Sequence, residues 1–343
     1  MIAKLYFKFK SFFYKKTLPQ FKTFLIFSNT ALGDTILSTP AIKSLKKSFP
    51  DSKVIAVLNP SYTELFKDFE YIDEVIEYDG KYKNFFKTLK KIRKYKPDSA
   101  LIFHSNSPQD IELCVSANIG FILKHPTKTP LKKFLVYNFS FEKKHAIETR
   151  LDLVRYIGGK SIDSTMEIGK LRDKELLEKY SKYQDYIGFQ IGAADVYKMW
   201  PIDRFIELAK KINKKIVVIG VEREYDLAQK IVKECPHVEN LCGKTSIKEL
   251  PYLIKNLKML ITNDTGNMHL AIALKTPTLS LFSPTDSNTI GPYQDKHLHK
   301  VIQKDGFFVQ KLPKKQRDNR AMKLISVDEV YLAYKEHYEN LYV

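Results

Sequence analysis

The sequence predicts an α/β protein with two domains in series, each built on a parallel β-sheet. Short apolar runs of strand length alternate with amphipathic helical segments, which is typical of parallel sheets covered by helices. A polar, Lys- and Glu-rich stretch at residues 160–184 interrupts the alternation, which then resumes. The length of 343 residues and the hydrophobic content of 44% allow two cores of ordinary size.

Four apolar strands define the predicted first domain: Phe24–Ser28, Lys53–Leu58, Val75–Ile76 and Ser99–Phe103. Helices are predicted from Thr39-Pro40 onward, over residues 62–69, and where Phe85, Leu89 and Ile92 share one face. Residues 122–145 hold two prolines and six lysines without periodicity, which favours a long basic loop of a functional or mobile kind. A helix then follows over His145–Tyr156 and ends at Gly158-Gly159.

The second domain repeats the pattern with the predicted strands Tyr186–Ile191, Lys215–Ile219, Met259–Thr262 and Thr278–Phe282. Its predicted helices are Asp203–Ile212, Glu224–Glu234 and Met268–Leu274. Two capping boxes, Ser246 with Glu249 and Ser326 with Glu329, indicate further helix starts. The resulting boundaries are an extension at 1–22, a first domain at 23–170, a linker at 171–185, a second domain at 186–325 and a terminal helix at 326–343.

The chain is basic, with 57 Lys+Arg against 39 Asp+Glu and a net charge of +18. Such a charge favours phosphate-rich partners, namely nucleic acid, an anionic membrane or a phosphorylated substrate, unless it is only a matter of composition. The basic residues are spread over several elements and match no nucleic-acid-reading motif, so we expect no nucleic acid partner. The first 24 residues carry six lysines, no acid and interleaved aromatics, so the extension either lies on an anionic membrane or packs on its own domain.

Several classes of site have no signature in this sequence. Cys114, Cys235 and Cys242 form no Cys-x-x-Cys pair, which argues against a disulfide framework or zinc site and fits a reduced cytosol. There is no Gly-x-Gly-x-x-Gly, Walker A or His-Glu-x-x-His motif, and no Asp-x-Asp pair for a divalent metal. We therefore expect neither a metal nor a cofactor, and no segment has the length and apolarity of a membrane span.

Residues 259–285 carry the clearest functional signal. They read as strand, tight turn, short helix and strand, a unit that places a site at the end of a parallel sheet. The turn puts backbone N–H groups, Thr265 and His269 at a helix N-terminus, which favours an anion such as phosphate. His269 is either a phosphate donor or a buried structural histidine. Asp264-Thr265-Gly266 also spells the aspartic-protease signature, which we reject because a second copy is missing.

Other candidate residues follow predicted strands. Gly33 permits backbone conformations that other residues avoid, and Asp34 after it is either a general base or a helix N-cap. Gly192 lets a ligand approach the backbone, while Lys198 is a phosphate-neutralising cation or an ordinary surface lysine. The acids Glu222 and Glu224 are hydrogen-bond acceptors for a ribose or belong to a solvated helix start. Trp200, the only tryptophan, is predicted to be a core anchor.

Four segments in this order resemble glycosyltransferase family 9, the ADP-heptose:lipopolysaccharide heptosyltransferases: Gly33–Val54, Gly188–Pro201, Leu241–Asn256 and Asn263–Thr285. The resemblance covers residues 22–340. It implies a GT-B fold, in which two Rossmann-like domains face a cleft and a C-terminal helix crosses back to the first domain. It also implies an inverting, metal-independent transfer.

The resemblance further implies residue roles. Asp34 is the catalytic base, and Gly33, Thr35 and Thr39 lie on the acceptor side. The donor nucleotide and its diphosphate are assigned to Gly192, Ala193, Lys198, Glu222, Glu224, Lys244, Thr245, Asp264, Thr265, Gly266 and His269. Within that set, Glu224 matches the ribose-contacting acid, with Glu222 as the alternative.

The expected function is transfer of heptose from ADP-L-glycero-D-manno-heptose to the inner core of a lipopolysaccharide or lipooligosaccharide. The expected acceptor is a phosphorylated, lipid-linked oligosaccharide, and the expected location is cytoplasmic, peripheral on the cytoplasmic face of the inner membrane. The alternatives are a family member with another nucleotide sugar, a GT-B sugar-nucleotide epimerase, and a binding module for nucleic acid or membrane.

Overall fold

A computed structural model describes residues 7, 10–11, 13–125, 129–137 and 142–343 of the chain. The chain divides into two compact units, Met1–Gly169 and Lys170–Val343. Each unit contains a parallel sheet with helices between successive strands, so the predicted fold class is confirmed.

The first sheet has five parallel strands in the order β3-β2-β1-β4-β5. Its strands are β1 (Thr23–Ser28), β2 (Lys53–Leu58), β3 (Glu74–Glu77), β4 (Ser99–His104) and β5 (Ile122–Lys124). The helices are α1 (Leu32–Ile36), α2 (Thr39–Ser48), α3 (Phe85–Tyr95), α4 (Gln109–Ser116) and α5 (Ala146–Tyr156). The central strands are buried except at one terminal residue each, because helices cover both faces of a parallel sheet, which explains their apolar runs.

Most sequence predictions for the first unit are confirmed locally. The predicted face of α3 is buried at Phe85, Leu89 and Ile92. Helix α5 ends where glycine was expected, because Gly158 adopts a φ of +85°. The N–H of Gly159 then donates to the Val154 carbonyl at 3.0 Å, which closes the last turn of the helix.

One prediction for the first unit is wrong. Residues 122–145 do not begin as a loop, because β5 (Ile122–Lys124) adds to β4 as an edge strand of only three residues. The helix predicted over residues 62–69 is present as a short 3₁₀ helix at Thr63–Phe66. Part of the predicted basic loop, residues 126–128 and 138–141, lies outside the described residues.

The described part of the N-terminal extension packs on the first unit. Phe7 is buried, and its ring and that of Tyr14 contact the edge of Phe134 at centroid distances of 6.4 and 4.9 Å. The ammonium of Lys10 donates to the side chain of Asn118 at 2.9 Å. Residues 1–6, 8–9 and 12 lie outside the described residues.

The second sheet has six parallel strands in the order β11-β10-β9-β6-β7-β8. Its strands are β6 (Ile187–Gln190), β7 (Ile216–Ile219), β8 (Val238–Asn240), β9 (Met259–Asn263), β10 (Thr278–Phe282) and β11 (His299–Gln303). The helices are α6 (Lys174–Ser181), α7 (Ile202–Lys211), α8 (Tyr225–Glu234), α9 (Leu250–Asn256), α10 (Gly266–Ala273), α11 (Ser287–Ile290), α12 (Phe308–Lys311) and α13 (Val327–Tyr342). Helix α6 lies within the segment that we interpreted as a linker.

Trp200 anchors the core of the second unit, as predicted. Its side chain is buried, its ring meets the edge of Phe205 at 4.9 Å, and its indole N–H donates to the Ile325 carbonyl at 3.0 Å. The terminal helix α13 packs into the same core through Val330 and Tyr334. Trp200 therefore ties the segment before α7 to the segment before α13.

The two predicted capping boxes form to different extents. Ser246 and Glu249 make both reciprocal contacts, with the Ser246 N–H donating to the Glu249 carboxylate at 2.9 Å and the Glu249 N–H donating to Oγ at 3.3 Å. At α13, the Ser326 hydroxyl accepts from the Glu329 N–H at 3.2 Å. The Glu329 carboxylate instead lies 2.8 Å from the Lys304 ammonium, so only half of this box forms.

Both strand orders place a topological switch point at the carboxyl edge of the sheet. In the first sheet β1 and β4 are neighbours although two strands separate them in sequence, and β6 and β9 are related in the same way in the second. Ligands of open α/β sheets bind at this position. Within the described residues, no helix is long and apolar enough to cross a bilayer.

We predict that His299 makes the second unit less stable in acid. Burial lowers the pKa of His299 from 6.5 to about 4, although Asp295 partly opposes the shift, and Nδ1 lies 3.0 Å from the Thr278 hydroxyl. As the pH falls, the imidazole of His299 is protonated in the unfolded chain before it is protonated in the folded one. Its contribution to the free energy of unfolding is therefore complete above pH 6.5 and is lost as the pH falls toward 4. The expected loss between pH 7 and pH 5 is about 2 kcal/mol.

Urea unfolding at both pH values measures this loss. A His299→Gln variant keeps a hydrogen-bonding side chain but does not titrate, so its free energy of unfolding should fall by less over the same interval. Equal losses in the two proteins would contradict the assignment to His299.

Candidate active site

The amide of Asn263 organises the switch point of the second sheet. Asn263 is fully buried at the end of β9. Its Nδ2 donates to the carbonyls of Ile191 at 2.9 Å and of Gln190 and Gly192 at 3.3 Å. Its Oδ1 accepts from the Trp200 N–H at 3.0 Å. One side chain therefore holds the turn after β6 and the segment before α7 against the end of β9. The sequence analysis placed Asn263 in the turn but gave it no role.

Lys198 and Asp264 form a fixed ion pair beside this amide. The Lys198 ammonium lies 2.7 Å from Oδ2 of Asp264, which also accepts from the Thr285 hydroxyl at 2.9 Å. Burial alone lowers the pKa of Lys198, but the charge and hydrogen bond of Asp264 outweigh burial and raise the pKa above 10.5. Lys198 is therefore a positioned cation rather than an ordinary surface lysine.

Helix α10 begins next to the ion pair with a hydroxyl that the fold does not use. Thr265 is the N-cap residue, but its side chain makes no capping hydrogen bond. Within the part of the chain that the structure describes, its buried Oγ1 makes no hydrogen bond at all. Gly266 opens the helix, and His269 is buried one turn further along it. An unused hydroxyl at a helix N-terminus suits an anionic ligand.

The turns after β6 and β7 enclose the carboxylate of Glu224. A Cβ atom at Gly192 would lie 2.0 Å from Oε1 of Glu224, and one at Gly220 would lie 2.3 Å from Oε2. The carboxylate also accepts from the Val221 N–H at 2.9 Å. Arg223 closes the turn from outside by donating to the Ala193 carbonyl at 2.8 Å. Glycine at both turns is what leaves room for this buried acid.

Glu222 occupies a more open position than Glu224. It is exposed and lies against Gly243, where a Cβ atom would come within 2.0 Å of its Oε2 and φ is +73°. Lys244 follows, with its ammonium donating to the Asn240 carbonyl at 2.9 Å, and Thr245 is half-buried beside it. The predicted donor residues therefore gather in two groups at the carboxyl edge of the second sheet.

Asp34 lies at the switch point of the first sheet and carries an ion pair. Its Oδ1 accepts from Nη2 of Arg150 at 3.1 Å and lies 3.5 Å from Nε2 of His104. The Thr30 hydroxyl donates to Oδ2 at 3.3 Å. Asp34 is the third residue of α1, whose N-cap is Ala31, so the N-cap interpretation is wrong. About a third of the Asp34 side chain is exposed.

Arg150 and His104 are functional candidates that the sequence analysis missed. Arg150 is buried on α5 and is fixed by donating from Nε to the Ser38 hydroxyl at 2.9 Å and from Nη1 to the Ala146 carbonyl at 2.7 Å. His104 ends β4, directly after its apolar run, and this polar position at a strand end was an available signal. No local pattern marks Arg150, which lies 116 residues from Asp34 in sequence.

The three residues predicted on the acceptor side lie in or next to α1. Gly33 lies within α1 and does not use the backbone freedom of glycine, since the positive φ values among the described glycines occur at Gly80, Gly158 and Gly243. Thr35 is buried and donates to the Ser28 carbonyl at 3.0 Å. Thr39 is buried and donates to the Ile36 carbonyl at 2.7 Å. Both hydroxyls donate to backbone carbonyls, and the acceptor-side assignment of Gly33, Thr35 and Thr39 stays a prediction.

The family model for glycosyltransferase family 9 (heptosyltransferase) matches residues 113–320. The chain belongs to glycosyltransferase family 9. The match spans Arg150 and every donor-side residue named above, whereas Asp34 and His104 precede it. Membership of family 9 makes the chain a glycosyltransferase.

Individual relatives agree with this family 9 assignment. Lipooligosaccharide heptosyltransferase 2 of Campylobacter jejuni is 27% identical over 289 residues, which cover 78% of this chain and 83% of the relative. Lipopolysaccharide heptosyltransferase 3 of Escherichia coli is 25% identical over 320 residues, which cover 86% and 91%. The solved structure of the E. coli ADP-heptose LPS heptosyltransferase II matches with a TM-score of 0.75 at 19% identity, covering 94% of this chain and 100% of that one. This likeness shows the GT-B fold.

We predict that Asn263→Ala destabilises the second unit and loosens its site. The substitution leaves buried carbonyls and the Trp200 N–H without their partner, at a cost of about 2–4 kcal/mol. Asn256→Ala is the matched control, because Asn256 makes one local bond to the Tyr252 carbonyl at 2.8 Å. Urea unfolding of both variants measures the difference, and equal stabilities would refute the organising role of Asn263.

Proposed function

We propose that this family 9 enzyme transfers a heptosyl residue from ADP-L-glycero-D-manno-heptose to the inner core of a lipopolysaccharide or lipooligosaccharide. The observation that carries the proposal is the cation of Lys198, fixed by Asp264 next to the unused Thr265 hydroxyl at the start of α10. The relatives described above act on these lipids according to their names, and one of them is named for ADP-heptose.

The donor-side residues match the needs of a departing diphosphate. Cleavage of the bond to the anomeric carbon leaves negative charge on the diphosphate, which fixed positive charge and preorganised donors stabilise. Lys198 supplies the charge, while the N–H groups at Gly266 and the Thr265 hydroxyl supply donors. His269 belongs to this set in the proposal. Glu224 and Glu222 are assigned to the nucleoside, with the exposed Glu222 as the more accessible carboxylate.

The acceptor side needs a group that removes a proton. An acceptor hydroxyl attacks the anomeric carbon only as its proton leaves, and a positioned side chain accelerates that step. In the first unit, Asp34 combines partial exposure with a fixed orientation set by Arg150 and Thr30. We therefore propose Asp34 as the general base that removes the proton of the acceptor hydroxyl. The proposed transfer inverts the anomeric centre and proceeds without a metal.

The function is tested by incubating the purified protein with ADP-heptose and a heptose-deficient lipooligosaccharide. We expect ADP release and a mass gain of one heptosyl residue in the lipid, both only when donor and acceptor are present. Release of altered sugar without an acceptor would instead support the epimerase alternative. Product from another nucleotide sugar but not from ADP-heptose would overturn the proposed donor.

We predict that Lys198→Met lowers kcat/KM for the donor by about 10²–10³-fold, because the diphosphate loses a preorganised cation. Lys210→Met is the matched control, since Lys210 forms an exposed ion pair with Glu234 at 3.0 Å. Thermal unfolding should accompany both assays, because Lys198→Met also leaves the Asp264 charge unpaired. A folded Lys198→Met protein with normal donor kinetics would rule out the phosphate-binding role.

We also propose that the enzyme docks peripherally on an anionic membrane through its N-terminal extension. Phe13 and Leu18 are 70% and 88% exposed, and the exposed Lys15 and Lys16 lie between them in sequence. Exposed apolar side chains beside lysines suit the interface of an anionic bilayer. The lipid-linked acceptor would be presented at such a surface, on the cytoplasmic face of the inner membrane.

We predict that the double substitution Phe13→Ser and Leu18→Ser weakens binding to vesicles with 30% anionic lipid by at least about tenfold. Co-sedimentation measures the binding, and activity on a delipidated acceptor should stay unchanged. Leu332→Ser is the control, because Leu332 is 64% exposed on α13 in the second unit. Equal vesicle binding by the double variant and the control would contradict docking through the extension.

A further inference from the structure

A basic segment follows the last strand of the second sheet and lies at the carboxyl edge of that sheet. Residues 304–323, which we call the basic edge segment, carry seven Lys and Arg against Asp305 and Asp318. The segment begins directly after β11 and returns to the end of β10, where the Ser283 hydroxyl donates to the Ala321 carbonyl at 2.7 Å. Its cations are therefore gathered at the edge that carries the candidate donor residues.

Hydrogen bonds and close packing fix the basic edge segment on the second unit. The Gly306 N–H donates to the Ser283 carbonyl at 3.0 Å, and a Cβ atom at Gly306 would lie only 2.2 Å from the Ser283 hydroxyl. Further along, the side-chain amide of Gln310 donates to the Pro284 carbonyl. The segment is thus built into the fold at both of the residues that follow β10.

Two adjacent aromatic side chains of this fixed segment are exposed to solvent. Phe307 and Phe308 are 37% and 45% exposed, although Val309, the next residue, is completely buried. Leu324, directly after the segment, is 48% exposed. Exposed apolar side chains that are grouped on a fixed backbone and bordered by charges are typical of an interaction surface.

The basic edge segment also contacts the chain that carries Lys198. The Asn319 side chain donates to the Met199 carbonyl at 3.2 Å, and the Arg317 guanidinium lies 5.8 Å from the centre of the Tyr197 ring. The exposed apolar and cationic side chains therefore border the proposed diphosphate site within the second unit.

We propose that the basic edge segment docks the second unit on an anionic bilayer. Phe307 and Phe308 enter the interface, while the exposed Lys311, Lys314 and Lys315 lie against the headgroups. Charge selects this partner, because a second copy of a chain with a net charge of +18 would be repelled by the same lysines. This contact is separate from the one proposed for the N-terminal extension, which belongs to the first unit.

The docking deepens the proposed function and rests on it for its purpose. A lipid-linked acceptor is held at a membrane surface, so the edge that binds the donor has to come to that surface. An interfacial segment beside Lys198 brings the proposed diphosphate site there directly, without relying on the first unit.

The first test removes the charge of the segment. Changing Lys311, Lys314 and Lys315 together to Gln should weaken binding to vesicles with about 30% phosphatidylglycerol by at least about tenfold, because each lysine near such a surface adds attraction. Co-sedimentation measures the binding in a protein that already carries the two serine substitutions in the N-terminal extension. No donor or acceptor is present, so a protein that binds vesicles in this way but transfers no heptose would contradict the proposed function and not the docking.

The matched control removes the same charge elsewhere in the second unit. Lys210, Lys230 and Lys233 are exposed on α7 and α8, and changing them to Gln should leave vesicle binding within about twofold. Equal weakening by the two triple variants would assign binding to net charge and overturn the proposal. Unchanged vesicle binding by the Lys311 triple variant, with lower turnover on a delipidated phosphorylated acceptor, would assign the segment to the acceptor and also overturn it.

The second test keeps an aromatic side chain at the edge and so does not depend on the folding of a polar variant. Phe308→Trp adds an indole to a chain whose only other tryptophan, Trp200, is buried. We expect anionic vesicles of brominated lipid to quench the added fluorescence, because bromine quenches an indole only at close range. Leu332→Trp is the control, since Leu332 is 64% exposed on α13, and its added fluorescence should not change. Equal quenching in both variants, or none in vesicle-bound Phe308→Trp, would overturn the proposal.

Discussion

The donor-side site depends on the buried amide of Asn263. Its hydrogen bonds to the turn after β6 and with the Trp200 N–H fix the backbone from which the neighbouring side chains extend. Trp200 is held from the other side by the Ile325 carbonyl, so the chain just before it, which includes Lys198, is fixed at two points. A flexible lysine thereby becomes a cation with a defined position. The charges at the carboxyl edge of the second sheet belong to Lys198 and Asp264, but the neutral amide of Asn263 sets the position of the backbone that carries them.

The sequence predicted those parts of the fold that depend on local pattern. Central strands such as β1 and β9 are buried on both faces, so their apolar runs are unbroken and easy to recognise. The edge strands β5, β8 and β11 were missed, β5 and β8 because each has three residues and β11 because of its composition. Three residues are too few for a pattern, and β11 (His299–Gln303) is half-buried and mixes polar with apolar side chains. Short edge strands are defined by the partner to which they add rather than by their own composition.

The candidate residues that the sequence pattern could indicate are those that follow the carboxyl end of a recognisable strand. Asp264, Thr265 and Lys198 lie close in sequence to strand ends, where the α/β architecture places ligands. The cluster around Asp34 follows another rule, because Arg150 comes from a distant helix and His104 from a strand that becomes a neighbour only through the sheet order. The resemblance to family 9 named the carboxylate, but its partners required the tertiary structure.

The enclosure of Glu224 between two glycines has a consequence for how this enzyme can vary. A side chain at Gly192 or Gly220 would collide with the Glu224 carboxylate in its present position. Shortening the acid to aspartate would vacate that space without touching either turn. The three positions are therefore coupled: a side chain at residue 192 or 220 requires residue 224 to move or to be shortened.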